Sequence, residues 1–393
     1  MNPKIDFDIP IITSKTEPAW LSEKRKHGLD LFKSMPEPIR KIEEWKYTDF
    51  SLLNIKSSAD KGNIKQTLSG ELEKSGIIFC DIETAIKDHS DILKKYIFSA
   101  IKPEENIFTA LHSACFSKGS LLYIPAKTNL TKPLLLSEIV TGSNFMHSII
   151  VAEPGSSFTL IEDLGGPASY FSNFFEIFLK EGTQAKIISL QNLSSGVEFS
   201  IKRVLLDKDS RLEQVFCIFG GDFSRLRLDC ALQGKGSEAK VYGSYIGTGK
   251  QNIELQTSVQ HLVPHTTYDI LARGALFGNS TAVHRGVNKI YKSALGANSW
   301  LRGHTLLFGD KSKSDVIPSL EIDTNDVQAG HEASVGKVDE EQLFYLMSRG
   351  LERREAERLI VQGYFEPVLQ RIPDEVLRGK IKTILEEKVS NAS

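Results

Sequence analysis

The stretch Glu153-Pro154-Gly155-Ser156-Ser157-Phe158-Thr159-Leu160 introduces a pattern that returns three more times along the chain. Related turns follow at residues 181–187 (EGTQAKI), 208–213 (KDSRLE) and 235–241 (KGSEAKV), so the anchor positions 155, 182, 209 and 236 are each 27 residues apart. A fixed period of this size is typical of a solenoid. Gly, Asp and Ser suit the turns because Gly accepts positive φ, whereas Asp and Ser hydrogen-bond their own backbone.

Alternating strands surround each turn, as in HSIIVA (147–152) and FFEIFLK (174–180). One such unit cannot bury its apolar face alone, so successive units must stack. A β-sandwich would also have short strands but would not naturally repeat the same spacing three times. The sequence therefore predicts a mainly β protein with a parallel β-helix core. The spacing loosens after Val241, yet turns and strands alternate to about residue 325.

Helical patterns flank this core. The first spans residues 17–35 and stops at Pro36 and Pro38, and residues 59–100 read as a mixed linker region. After the core, Asp339 and Gln342 form a capping-box-like start to a helix that stops at Gly350. The predicted domains are an N-terminal helical or mixed region (1–100), the β-helix core (101–327) and a C-terminal helical domain (328–393).

Two further helices are predicted in the C-terminal domain. One carries Ala356, Leu359, Ile360 and Gly363 along one face and is disturbed at Pro367, and the other follows Pro373. Two roles remain open for these helices. They could cap the open end of the solenoid, where a bare edge invites aggregation, or they could bind a partner.

Composition limits the function. The 393 residues carry a net charge of −2 with 25% charged residues and no dense basic run, which argues against nucleic acid or an anionic membrane as partner. The N-terminal MNPKIDFDIP lacks the features of a secretory signal, and no apolar run approaches the ~20 residues of a membrane span. A cytoplasmic location is the expectation.

The four cysteines, Cys80, Cys115, Cys217 and Cys230, form no CxxC pair, so neither a disulfide framework nor a closed zinc site is indicated. Strand alternation places Cys230 with Leu226, Leu228 and Leu232, which predicts a buried core thiol. Cys217 in VFCIF (215–219) reads in the same way.

The sequence lacks the common catalytic motifs. There is no GxSxG, no HExxH and no GxGxxG that opens a helix after a strand. Residues 247–251 (GTGKQ) resemble a phosphate-binding loop, but Ser244 replaces its first glycine and Gln251 its Ser or Thr, so a hairpin turn is predicted. The chain is therefore not expected to be an enzyme, and any ATP hydrolysis would belong to another polypeptide.

A long run near the C-terminus carries a family resemblance. Its pieces are Leu320-Glu321-Ile322, Asn325-Asp326-Val327, His331 and the helix from Leu343 to Gly350 (LFYLMSRG), and an EWKYT motif lies at residues 44–48. In this order they resemble the SufB/SufD family of iron–sulfur cluster assembly proteins. The resemblance implies a right-handed β-helix with helical ends, a SufB-like paralogue as partner through the β-helix, and a SufC-like ABC ATPase docked on the C-terminal helices.

His331 and Glu332 are the candidate metal ligands. They follow Ala329-Gly330 in what reads as a small-residue loop, and an imidazole beside a carboxylate suits ferrous iron. The alternative is a loop histidine that hydrogen-bonds its neighbours. The resemblance implies that the matching histidine lies at the subunit interface where a nascent cluster is held.

Two departures from the family pattern indicate the subtype. SufB-type subunits carry a strand cysteine where this chain has Gly303, and some SufD-type loops carry a cysteine where it has Ala329. Without these thiolates the chain lacks the soft ligands that an iron–sulfur cluster needs. We therefore expect a SufD-like subunit that binds no cofactor stably by itself and shares a transient cluster, or iron, within a complex whose partner ATPase binds ATP.

The expected partner contacts lie on the C-terminal helices and comprise Leu343, Phe344, Arg349, Arg353, Arg354, Leu359 and Ile360. His261, His265, His284 and His304 are predicted to be structural, and Glu321, Asp323 and Asp326 a solvated acidic face or, alternatively, an iron entry point. A homodimer is also possible because closed two-fold dimers are common. The competing functions are an adaptor without metal chemistry and a polysaccharide-active β-helix enzyme, whose recurrent carboxylates are missing.

Overall fold

The computed structural model describes residues 17–39, 42–48, 50, 63–69 and 76–392. Its helices are α1 (Ala19–Ser34), α2 (Ile82–Asp88), α3 (Ser90–Tyr96), α4 (Ile107–Cys115), α5 (Glu340–Ser348), α6 (Arg353–Leu369) and α7 (Glu375–Ser390). Its strands are β1 (Asn63–Ser69), β2 (Ile78–Asp81), β3 (Ser120–Ile124), β4 (Leu134–Ala152), β5 (Ser157–Leu179), β6 (Gln184–Leu206), β7 (Arg211–Ile218), β8 (Phe223–Leu232), β9 (Glu238–Gly247), β10 (Asn252–His261), β11 (Thr267–Leu276), β12 (Thr281–Ile290), β13 (Ala297–Leu307), β14 (Lys313–Ile322) and β15 (Val327–Lys337). Within these ranges, no helix has the length and apolar character needed to cross a membrane.

Strands β3 to β15 form a parallel β-solenoid with two faces, and β1 and β2 pair with it in antiparallel orientation. The long strand β6 turns a corner, so that its first part pairs with β7 and its last part with β8, both in parallel. From there β9, β11, β13 and β15 extend one face, called the odd face, and β10, β12 and β14 extend the other, the even face. This architecture confirms the predicted mainly β solenoid with helical regions toward both ends of the chain.

The corner that begins each odd-face strand explains the 27-residue repeat. The four anchor positions Gly155, Gly182, Asp209 and Gly236 all have positive φ, between 54° and 74°. The backbone N–H of Gly155 donates to the carbonyl of the next corner at 2.8 Å, and the N–H groups of Gly182 and Asp209 do the same at 2.9 and 3.0 Å. Stacked corners of one conformation thus keep successive strands in register, and this favours Gly or Asp.

Side chains on each strand alternate between the interior and the outer surface. One inward row on the odd face runs through Ile187, Gln214, Val241, Ile270, Leu301 and His331, which are aligned by the strand register. Cys230 lies with Leu226, Leu228 and Leu232 in the apolar interior, as predicted. Cys217 is also buried, but it faces outward beneath the C-terminal helices.

Charged side chains face the interior of the middle turns and form a cluster called the interior polar chamber. Lys202 Nζ contacts Glu162, and Gln191 Nε2 donates a hydrogen bond to Glu198 at 2.8 Å. Burial raises the pKa of Glu198 to about 7 and the pKa of Glu138 well above its usual range. The cause is that charge without compensation is costly in an apolar interior.

The N-terminal helical region packs on the outer side of the even face. A buried chain of hydrogen bonds fastens it there: Ser172 Oγ lies 2.7 Å from His112 Nδ1, and His112 Nε2 lies 3.2 Å from His147 Nδ1. His147 Nε2 then donates to Glu176 at 2.9 Å, and this carboxylate also accepts the backbone N–H of Phe98. Because buried polar groups are normally hydrogen-bonded, this chain of contacts joins α4 to β4 and β5.

Helices α6 and α7 pack against the outer side of the odd face, over the middle turns. Val361 and Phe365 of α6 lie in one apolar cluster with Ile188, Val215 and Cys217 of the solenoid. Helix α7 belongs to the same cluster, and its Lys380 forms an ion pair with Asp163 of β5 at 2.5 Å. These helices therefore cover a side of the solenoid, and the interpretation that they cap its open end is wrong.

The buried face of α6 differs from the predicted apolar face. Ala356 is buried as expected, but Leu359 is 43% exposed and Gly363 is exposed, whereas Val361 and Phe365 are buried. The helix also continues through Pro367 to Leu369. The buried positions Val361, Phe365, Val368 and Leu369 follow one another at helical spacing on both sides of the proline, whereas the predicted face used positions 359, 360 and 363.

Two predicted domain boundaries are displaced. Helix α4 (Ile107–Cys115) lies inside the range assigned to the β-helix core, because the N-terminal helical region extends beyond residue 100. The final solenoid strand, β15, runs to Lys337 and not to residue 327. The predicted helix 17–35 is confirmed as α1, and the three C-terminal helices are confirmed as α5, α6 and α7.

Candidate functional site

The candidate site lies at the open end of the solenoid, where the described strand order stops at β14 on the even face and β15 on the odd face. Residues 331–337 of β15 are all exposed, and the apolar Ile322 and Val335 near this end are each 41% exposed. His331 is thus part of an edge strand, and its predicted position in a loop is wrong. An edge strand offers unpaired backbone groups to an incoming strand.

His331 and Glu332 point to opposite sides of β15. His331 is aligned with the buried Leu301 and ends the inward row, whereas Glu332 is aligned with Arg302 and faces outward. Neighbouring residues of one strand always alternate in this way. The two side chains therefore cannot hold the same ion from within this strand, although each is exposed at the rim of the open end.

Gly303 lies in the interior directly behind this end. A Cβ atom at this position would come within 2.7 Å of Val316 Cγ1 and 2.8 Å of His284 Nδ1. The imidazole of His284 is fully buried, its Nε2 lies 3.2 Å from Thr257 Oγ1, and burial lowers its pKa to about 4. The space that a cysteine side chain would take at position 303 is thus occupied by a neutral histidine.

His304 is the histidine that lies near Glu332. It is on β13, faces outward, and is held by a 2.8 Å hydrogen bond between its Nδ1 and Ser334 Oγ. Its Nε2 lies 3.8 Å from Glu332 Oε1. The sequence analysis missed this pair because its members are separated by 28 residues, and only the register of β13 with β15 brings them together.

The other histidines and the acidic run serve local contacts. His261 is buried, with its two ring nitrogens 2.7 Å from Thr266 Oγ1 and 3.0 Å from Ser299 Oγ, and burial lowers its pKa to about 4. Lys289 Nζ lies 3.4 Å from Glu321 and 3.1 Å from Asp323. The acidic side chains near β14 thus already have a cationic neighbour, which weighs against their use as an iron entry point.

Metal ligands are sparse in the part of the chain that the structure describes. It contains no cluster of three or more His, Cys, Asp or Glu side chains arranged to hold a metal ion. Cys115, Cys217 and Cys230 are buried, and burial raises the pKa of both Cys115 and Cys217 to about 12. Such thiols remain protonated at neutral pH and are poor ligands.

A second exposed surface lies on α5, where Phe344 is 74% exposed, Tyr345 56% and Met347 41%. A cleft of about 450 Å³ adjoins this helix and is lined in part by Leu359 and Ile360. Exposed aromatic and apolar side chains in such proximity are typical of a protein interaction surface. We call Phe344, Tyr345 and Met347 the α5 patch.

The predicted partner contacts differ in accessibility. Leu343 is fully buried with Val338 and Ala356, so it supports α5 from within and its predicted contact with a partner is corrected. The remaining predicted residues are exposed or half-buried: Phe344, Arg349, Arg353, Arg354, Leu359 and Ile360. The guanidinium of Arg353 is already paired with Glu340 at 3.0 Å and Glu357 at 3.1 Å.

These features define a class of parallel β-solenoid protein with helical regions on both faces, an open final turn and a separate apolar patch. Comparison with known families identifies it further. The family described as "SUF system FeS cluster assembly, SufBD core domain" matches residues 137–364, and "SufBD protein N-terminal region" matches residues 60–136. The chain therefore belongs to the SufBD family of iron–sulfur cluster assembly proteins.

Individual relatives agree with this assignment. The chain is 30% identical to the iron–sulfur cluster assembly protein SufD of Bacillus subtilis (strain 168), over 95% of each chain. It is 28% identical to an iron–sulfur cluster assembly SufBD family protein of Staphylococcus haemolyticus, over 92% of this chain and 88% of the relative. A Staphylococcus aureus (strain MRSA252) member is 29% identical, over 93% and 88%. The predicted family is thus confirmed, and the chain is SufD-like.

Proposed function

We propose that this chain is a non-catalytic scaffold subunit in iron–sulfur cluster assembly. In this role it pairs with a SufB-like paralogue through the open end of its solenoid and binds a SufC-like ABC ATPase through the α5 patch. The observation that carries the proposal is the exposed strand β15, whose inward row ends in His331. A second solenoid placed against this edge would continue the sheet and enclose the imidazole at the interface.

The cluster or its iron is cargo in this proposal. This chain supplies His331 as a nitrogen ligand, and the partner supplies the thiolates, because the buried cysteines of this chain are held in the protonated form. ATP is bound and hydrolysed by the partner ATPase. Without the paralogue, the chain forms a homodimer through the same edge in this proposal. The cytoplasmic location remains a prediction.

An adaptor without metal chemistry is the second candidate, because the open edge and the α5 patch would serve it equally well. The two are separated at His331. If the imidazole is a ligand, His331→Ala should leave the complex intact but reduce the cluster loaded on it, measured by the visible absorption of the cluster. Full loading by the His331→Ala complex would leave only the adaptor role.

The α5 patch is tested by co-expression of this chain with SufB-like and SufC-like subunits and by the mass of the complex in light scattering. Phe344→Glu should weaken retention of the ATPase by about tenfold or more, equivalent to about 1.4 kcal/mol. Val376→Glu is the matched control, because Val376 on α7 is 84% exposed but lies outside the patch.

Equal loss of the ATPase with both variants would assign the effect to general surface charge and not to the α5 patch. Truncation after Gly350 is a poorer test, since it would remove Val361, Phe365 and the rest of the apolar cluster on the solenoid. A wild-type chain that forms no complex with either partner would contradict the scaffold proposal as a whole.

A further inference from the structure

We propose that His304 and Glu332 are two ligands of a divalent metal site on the outer side of the last two odd-face strands. The site suits a borderline ion such as Fe²⁺ or Zn²⁺, which accepts imidazole and carboxylate ligands together. It is separate from His331, which faces the interior on the opposite side of β15. Water or a group from another chain completes the coordination.

The spacing of the two ligand atoms supports the site. His304 Nε2 and Glu332 Oε1 are 3.8 Å apart, which is too long for a hydrogen bond. Two ligands bound to one zinc ion at their usual distances and a tetrahedral angle are separated by about 3.4 Å. A small rotation of the exposed carboxylate would close this difference, because the Glu332 side chain is 66% exposed and free to move.

Ser334 orients the imidazole for this role. Its Oγ lies 2.8 Å from His304 Nδ1. When Nδ1–H donates to this hydroxyl, the lone pair of Nε2 is left free on the side of Glu332. Histidine ligands in metal sites almost always donate the second ring N–H to an oxygen in this way, which fixes both the tautomer and the ring orientation.

The electrostatic surroundings favour a neutral ligand and a modest affinity. Burial lowers the pKa of His304, and Arg273 and Arg302 act in the same direction against the opposing effect of Glu332. The uncharged imidazole is the form that binds a metal ion. Arg302 is paired with Asp269, which offsets part of the repulsion between these guanidinium groups and a bound cation.

The position of the site gives it an open coordination sphere. Glu332 and Ser334 belong to the exposed edge strand, whereas His304 belongs to the strand behind it and its side chain is only 16% exposed. One ligand is thus rigid and the other mobile at the rim of the open end. A natural role of the site in holding Fe²⁺ rests on the proposed function, but the binding of a divalent metal does not.

The test is a titration of the full-length chain with Co²⁺. Binding is measured by calorimetry and by the visible absorption of the bound ion. The wild type should bind one ion, and His304→Ala and Glu332→Gln should each weaken binding by about tenfold or more. Ser334→Ala, which removes only the orienting hydroxyl, should cost about tenfold. Gln328→Ala is the matched control, because Gln328 is an exposed residue of the same strand, and this variant should bind Co²⁺ as the wild type does.

Absence of Co²⁺ binding by the wild type, or undiminished binding by both His304→Ala and Glu332→Gln, would overturn the proposal. Loss of binding in His331→Ala alone would also overturn it and would move the site to the interior face. Far-ultraviolet circular dichroism confirms that each variant is folded. Assembly with the SufB-like and SufC-like subunits is measured separately by light scattering, so failure of the metal site and failure of the scaffold role are distinguishable.

Discussion

Position 303 shows how a single residue sets what the open end can hold. The missing side chain of Gly303 leaves the room that the buried imidazole of His284 and the side chain of Val316 occupy. A thiolate at this position and a histidine at 284 in its present rotamer would compete for one volume. The absence of a cysteine here is therefore tied to the packing of the interior as well as to ligand chemistry.

A substitution tests this packing. Gly303→Ala should lower the free energy of unfolding by about 1–3 kcal/mol, because overpacking a filled interior forces its neighbours to move. Gly336→Ala is the matched control on β15, since a Cβ there would meet nothing within 4 Å. Urea denaturation measures both. Equal stability of the two variants would contradict the account of Gly303.

The edge strand β15 shows why an exposed strand is difficult to recognise in a sequence. Its sequence, VQAGHEASVGK, alternates only weakly, because the inward positions 329, 331 and 333 carry Ala, His and Ala instead of large apolar residues, so it reads as a small-residue loop. Gly330 is small for a local reason: a Cβ there would come within 2.5 Å of the Trp300 ring. Had the strand been recognised, alternation alone would have separated His331 from Glu332.

Other elements followed directly from the sequence. The anchor positions 155, 182, 209 and 236 were visible because the corner conformation is a local property that few residue types accept. The packing of α6 and α7 on the middle turns could not be predicted, because helical periodicity tells which face of a helix is apolar but not what covers it. The His304–Glu332 pair was hidden because the repeat lengthens after Val241, so distant residues could not be aligned by a fixed period.

Hydrogen exchange tests the exposure of the last strand. Amides of β15 should exchange on the order of 100-fold faster than those of β9, because β15 pairs with one neighbour and lacks side-chain burial. Addition of the SufB-like paralogue should slow exchange in β15 and leave β9 unchanged. Equal protection of β15 and β9 in the isolated chain would show that this end is not open in solution.

At the scale of the whole molecule, the solenoid is held between an N-terminal helical region on its even face and α6–α7 on its odd face. The carboxyl of Glu198 belongs to the interior polar chamber, and burial raises its pKa to about 7. A raised folded-state pKa stabilises the folded protein below the unfolded pKa. This contribution is lost as pH rises from about 4.5 through 7.

The pH dependence of stability tests the chamber. Glu198→Gln keeps the shape of the side chain but cannot ionise, so its advantage over the wild type should grow by about 2–3 kcal/mol between pH 5 and pH 8. Urea denaturation at the two pH values gives this difference. Glu387→Gln is the control, because Glu387 is exposed on α7. Wild-type and Glu198→Gln stabilities that change in parallel would rule out a buried titrating carboxyl at position 198.

The position of α6 and α7 has a consequence for how the chain is made. These helices cover Ile188, Val215 and Cys217, yet they follow these residues by more than a hundred positions. During synthesis the middle turns leave the ribosome long before residues 353–390 exist. At about 5–20 residues per second, their apolar outer face stays bare for several seconds or longer. The nascent solenoid therefore passes through a stage in which it exposes an apolar surface to chaperones and to other growing chains.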